Sequence, residues 1–165
     1  MITSSSTFFV AENSTAVGNI TATDADGNIL TYSISGGADR SLFTINANAN
    51  TGVLSFVTAP NFEVPTDVGT NNVYNLQIQV TDGNNPVTQD LIINVTNVNE
   101  TPTDLTLSAT TIAENQAIGT VVGNLSTIDP DAGNTFTYSL VTGAGATDNS
   151  SFTIDGVQLK NRCCF

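Results

Sequence analysis

The chain has 165 residues and is 39% hydrophobic, which supports a packed core and excludes a disordered polypeptide. Fifteen acids face three bases (Arg40, Lys160 and Arg162), a formal net charge of −12, so nucleic acid and anionic membrane surfaces are excluded as partners. There is no His, the commonest general base, and no run approaches the roughly 18 apolar residues of a membrane helix.

In chain order, Met1–Ser6 carries neither a basic segment nor an apolar run, so any export signal is expected outside this chain. Val10-Ala11-Glu12-Asn13 opens the patterned region, and Asp24-Ala25-Asp26-Gly27 reads as a turn. Thr31-Tyr32-Ser33-Ile34 and Phe43-Thr44-Ile45 follow, with a turn at Asn50-Thr51-Gly52. Val73 to Val80 alternates polar and apolar residues, the period of a half-buried strand. Turns at Asp82-Gly83 and Asn85-Pro86 separate it from the apolar run Asp90–Val95. The β-branched composition and strand spacing predict an antiparallel β-sandwich. Thr96–Thr103 has little apolar content and reads as a linker.

Beyond the linker the pattern returns. Ile112-Ala113-Glu114-Asn115, Asp129-Pro130-Asp131, Thr137-Tyr138-Ser139-Leu140 and Phe152-Thr153-Ile154 repeat the earlier marks in order, at offsets that drift from 102 to 109 residues. Residues 1–99 are expected to form one complete repeat and residues 100–160 a truncated second one. Residues 161–165 form a tail that fits neither, read as a truncation or reading-frame artefact. The adjacent Cys163 and Cys164 are not expected to bridge each other.

The residues carry a family resemblance. Ala11-Glu12-Asn13, Asp24-Ala25-Asp26, Leu30–Ile34, Thr51–Leu54, Asn61-Phe62-Glu63, Val80–Gly83 and Asn97–Pro102 together resemble a cadherin repeat, especially the cadherin-like repeats of large bacterial surface proteins. The resemblance spans residues 8–160. It implies an all-β, Greek-key, seven-stranded sandwich of the cadherin/immunoglobulin-like kind, one complete and one truncated copy in tandem. It further implies an extracellular or cell-surface adhesion module with calcium (Ca2+) at the junction between repeats, and no enzyme.

An Asp-x-Asp pair on an extended strand would point its carboxylates to opposite faces, so a shared ion requires a bend, which Gly27 and Pro130 suit. The resemblance assigns the junction ligands to Glu12, Glu63, Asn97, Asn99 (through its backbone carbonyl), Glu100, Asp129 and Asp131. It assigns Asp24, Asp26 and Asp82 to an ion shared with a preceding repeat, and Glu114 to a following junction. The family carries Asp where this chain has Asn97 and Glu100, and losing a charge at Asn97 should weaken calcium binding.

The expected partners are neighbouring repeats of the same protein, with like molecules or surface glycans as candidates and no membrane insertion by this segment. The rival readings are a carbohydrate-binding sandwich and a passive spacer. A sugar platform needs exposed aromatics, whereas Phe8, Phe9, Tyr32, Phe43, Phe56, Phe62 and Tyr74 mostly fall at positions expected to be core. Six Asn-x-Ser/Thr triplets, at Asn13, Asn19, Asn94, Asn99, Asn124 and Asn149, follow from an Asn/Thr-rich composition.

Overall fold

The structure is a computed structural model describing residues 1–48 and 51–163. The expected turn residue Asn50, and Cys164 and Phe165 of the tail, lie outside the described residues. The chain divides into two compact units, Met1–Val98 and Asn99–Phe165.

Among its described residues the first unit carries the strands β1 (Thr7–Ala11), β2 (Ala16–Thr21), β3 (Thr31–Gly36), β4 (Phe43–Asn48), β5 (Thr51–Phe56), β6 (Val73–Thr81) and β7 (Val87–Thr96). One sheet has the order β1-β7-β6-β3 and the other β2-β5-β4. All pairings are antiparallel except β1 with β7, which run parallel from Thr7↔Ile92 to Ala11↔Thr96. This departs from a purely antiparallel sandwich. The N-terminal segment pairs with the end of β2 (Ile2↔Ala22) and then passes to the opposite sheet as β1, where β7 is the free neighbour.

Alternation along each strand builds the core. Tyr74, Leu76, Ile78 and Val80 of β6 and Leu91, Ile93 and Val95 of β7 point inward, against Ile20, Tyr32, Leu54, Phe43 and Phe56. The Phe43, Phe56 and Tyr74 rings pack together, Tyr74 edge-on to both. Phe9 departs from the expected core placement. It is 73% exposed, because Val10 faces inward and its strand neighbour must therefore face out.

The long connection between β5 and β6 is pinned by two buried carboxylates. Asp39 Oδ1 accepts the Val68 N–H (2.8 Å) and Oδ2 accepts the Asn75 N–H (2.7 Å). Asp67 accepts the N–H groups of Asn71 and Asn72, and Asn72 Nδ2 donates to the Phe62 carbonyl (2.8 Å). Thr70 and Asn72 take positive φ, 50° and 62°, so the loop holds a backbone shape that unaided residues rarely adopt.

The second unit repeats part of this plan. β8 (Asp104–Leu107), β9 (Val121–Ile128), β10 (Phe152–Asp155) and β11 (Gln158–Asn161) form one antiparallel sheet of order β10-β11-β9-β8. β9, β11 and β10 match β2, β5 and β4 in sequence order and pairing, and a single 3-10 turn precedes Phe152 as another precedes Phe43. The repeat predicts a strand at Thr137–Leu140, but that segment pairs with nothing in the ladder. Its counterpart β3 is held by β6, and among the described residues the second unit has no equivalent of β6 or β7. Every residue of the buried apolar core accordingly lies at or before Val95. Leu105, Leu125, Tyr138, Leu140, Ile154 and Leu159 instead line an open hollow of about 360 Å³. β11 runs on through Asn161, whose N–H donates to the Thr120 carbonyl, so the first tail residue belongs to the sheet.

Candidate metal centres

At the linker end of the first unit, Glu12 follows directly on β1 and is buried. Its Oε2 accepts the Phe62 N–H (2.8 Å) and its Oε1 the Val98 N–H (2.9 Å). Asn13, in the left-handed region at φ 61°, turns the chain away and donates its N–H to the Pro60 carbonyl. Glu63 sits on the pinned loop, and its Oε1 accepts from Asn97 Nδ2 (3.0 Å). One oxygen each of Glu12 and Glu63 lie within 4.8 Å of one another. Sequence positions 12, 63 and 97 thus meet at one end because β1 and β7 run parallel and finish together.

In the second unit, Asn99, Glu100, Asp129 and Asp131 meet likewise. Asp131 is buried, and its Oδ2 accepts the Glu100 N–H. Its own N–H donates to Asp129 Oδ1 (2.9 Å), and Asn99 Nδ2 donates to the Glu100 carbonyl (3.0 Å). The Asp129–Asp131 hydrogen bond supplies the bend that an Asp-x-Asp pair needs, as a side chain capping the backbone two residues on.

The far end of the first unit repeats the device. Asp24 Oδ1 accepts the N–H groups of Asp26 (2.9 Å) and Asn28 (3.1 Å). Asp82 Oδ1 accepts those of Asn84 (2.8 Å) and Asn85 (3.1 Å), and these two amides hold its carboxyl below the usual Asp value. Asp24, Asp26 and Asp82 line one hollow of about 230 Å³ with Leu30 and Val80. Glu114 is exposed, and among the described residues the second unit has no counterpart of the Phe62 and Val98 amides that hold Glu12.

Each group presents oxygen donors, with backbone amides fixing part of each carboxylate while other lone pairs stay available. Oxygen-only sets of this kind suit a hard cation, and the Asn97 carboxamide can offer its oxygen by rotating. Asp39 and Asp67, which hold the Glu63 loop, escape a search for metal patterns because their partners are distant backbone amides. A signal for Asp39 was nevertheless present: Asp39 and Asp148 stand at matching places before the Phe-Thr-Ile marks.

The family model of the cadherin domain matches residues 6–96, more than half of the chain. The chain belongs to the cadherin family. Cadherin domains are adhesion modules rather than enzymes, so the chain carries an extracellular, adhesion-type β-sandwich repeat. Its fold resembles human protocadherin-24 EC1-2, with a TM-score of 0.69 and 21% identity, covering 97% of this chain and 75% of that one. Drosophila N-cadherin EC1-4 matches with a TM-score of 0.59 and 21% identity, over 96% of this chain and 39% of that one. Protocadherin gamma B2 domains 3-6 match at 0.56 and 18%, over 100% and 39%. No curated protein matches the chain. Among the described residues no helix is long and apolar enough to cross a membrane.

Proposed function

We propose that this chain is a tandem cadherin segment in which calcium fixes the junction between the complete first repeat and the second, partial one. The observation that carries the reading is the arrangement of the donors on either side of one peptide bond. Glu12, Glu63 and Asn97 are gathered by the first unit, Asn99, Glu100, Asp129 and Asp131 by the second, and Val98–Asn99 joins them. Five of these seven are carboxylates, whose mutual repulsion favours free swinging of the repeats in the absence of metal. A bound calcium ion supplies the compensating charge and ties the two donor sets together. The chain's own contribution is to hold the carboxylates ready, through the Phe62, Val98 and Glu100 amides.

Asp24, Asp26 and Asp82 would serve an ion shared with an adjoining repeat in the same way. A run of such junctions is a stiffened rod at a cell surface, with neighbouring repeats as the first partners. Modules of this class bind calcium at about 10⁻⁴–10⁻³ M. At free calcium 100-fold above the dissociation constant, binding adds about 2.7 kcal/mol of stability.

The test is calorimetric calcium titration of the whole chain and of an Asp129→Asn/Asp131→Asn variant. Saturable binding that loses its junction component in the variant supports the reading. Identical isotherms for the two proteins, or no heat from either, overturn it.

A further inference from the structure

The geometry points to β1 as a self-association edge, on which a second copy of this chain adds its own β1 antiparallel, with Phe9 against Phe9 on the two-fold axis. β1 is the outermost strand of its sheet. Its pairing with β7 uses the even-numbered residues: Ser6 accepts from Ile92 N–H and Glu12 donates to the Thr96 carbonyl. The main-chain groups of Thr7, Phe9 and Ala11 therefore face away from β7. Those of Thr7 are engaged by the Ser5 hydroxyl, whereas those of Phe9 and Ala11 stand open to an incoming strand.

Beyond the Ser5 hydroxyl on Thr7, the edge lacks the usual protections. Thr7-Phe8-Phe9-Val10-Ala11 contains no charge, no Pro and no register shift. The other edges of the first unit differ. β2 and β3 carry register shifts, at Ala16/Gly18 and Ile34/Gly36, and β2 is partly covered by the Ile2–Ala22 bridge. β4 turns Thr44 and Asn46 outward. Only on β1 does a strand edge coincide with an exposed aromatic, 73% accessible.

Two features favour a second copy over another partner. Phe9 is the central residue of a five-residue strand, so an antiparallel two-fold pairing sets Phe9 opposite Phe9 and Thr7 opposite Ala11. The residues brought into hydrogen-bonded pairs are the ones whose main-chain groups face outward, those of Phe9 and Ala11 open already and those of Thr7 once the incoming strand displaces the Ser5 hydroxyl. The charge map agrees. In a chain of net charge −12, the outward rows Phe9–Asn94–Val73 and Thr7–Ile92–Asn75 are neutral. Asp90, the acid that β7 carries, lies beyond these rows and accepts from Gln77 Nε2 at 3.0 Å. Two copies approaching here avoid the repulsion that opposes contact elsewhere. The contact is small, so one pair is weak, in the range of interfaces below about 1,200 Å². Repeated along an array, such contacts add as avidity.

The test combines sedimentation equilibrium with directed crosslinking of the full chain. Phe9→Lys puts a charge on the edge without touching the core and should lower the association constant at least tenfold at unchanged melting temperature. In a Cys163→Ser/Cys164→Ser background, Phe9→Cys should form a disulfide-linked dimer on mild oxidation. Hydrogen-bonded antiparallel partners have Cα atoms about 5.5 Å apart, inside the disulfide range. Ser33→Cys, on the exposed face of β3, should crosslink at least tenfold more slowly. A chain that stays monomeric at millimolar concentration overturns the proposal. So does association that survives Phe9→Lys, which would point to another surface such as the open hollow of the second unit, and so do equal crosslinking rates at positions 9 and 33.

Discussion

Replacing Asp39 separates a buried structural carboxylate from its exposed counterpart Asp148 within one chain. The two residues stand at matching places in the repeat, each with a backbone near φ −100°, ψ 10° ahead of a 3-10 turn. Asp39 is 2% exposed and accepts two amides, at 2.8 and 2.7 Å, whereas Asp148 is exposed. Hydrogen bonds to a charged group contribute roughly 1.5–3 kcal/mol each. The lower figure applies here, because Val68 and Asn75 have exposed side chains and water can reach the freed amides. Asp39→Ala should therefore cost about 3 kcal/mol, and Asp39→Asn, which keeps one acceptor oxygen, about 1.5 kcal/mol. Asp148→Asn should stay within about 0.5 kcal/mol of the parent. Both Asn variants remove one negative charge, so the relief of long-range repulsion cancels in the comparison. Urea unfolding followed by tyrosine signals is the assay, as the chain has no Trp and Tyr74 sits in the core. With a slope of about 1.5 kcal/mol per molar urea, the Asp39→Asn midpoint should fall by about 1 M at unchanged slope. Equal midpoints for Asp39→Asn and Asp148→Asn would refute the reasoning.

Two further predictions rest on single sites. Gly37 lies at φ +99°, and a Cβ there would come within 2.4 Å of the Asn75 carbonyl oxygen, so Gly37→Ala should cost about 3 kcal/mol in urea unfolding. Gly143, at φ +132° in the second unit, has nothing within 4 Å of a Cβ placed there, and Gly143→Ala should cost about 1 kcal/mol. Asp82 has its carboxyl pKa lowered by the Asn84 and Asn85 amides. Its contribution to stability is present above the ordinary Asp value of about 3.9 and is lost as pH falls through the lowered folded value. Carboxyl carbon NMR should give a midpoint below about 3.9 for Asp82; a midpoint at or above it would contradict the two amide bonds.

What was legible in the sequence was local or repeated. The alternation of Val73–Val80 marks β6, and the recurrence of Glu-Asn and Asp-x-Asp marks the ends where acids gather. The bend at each Asp-x-Asp pair could be demanded in advance, although its means, a carboxylate accepting the amide two residues on, emerged only in the structure. Three things were hidden because they depend on remote partners. Thr137–Leu140 has strand-like residues and no strand to pair with. Phe9 has the hydrophobicity of a core residue, but the parity of β1 is set by Val10 and by its register with β7. Asp67, and Asp39 apart from its match with Asp148, carry no local mark, because the amides they accept belong to a loop that must first fold over them.

The parallel pairing of β1 with β7 also sets a timetable for synthesis. Thr7 and Ile92 lie 85 residues apart, so at about 5–20 residues per second β1 waits roughly 4–17 s for its partner to be made. The sheet of β2, β5 and β4 can close well before then, since its strands end at Phe56. In an array of similar repeats, each β1 spends that interval as an unpaired strand, open to wrong partners among the other strands not yet paired. The order in which strands leave the ribosome is therefore a hazard that each repeat must outrun.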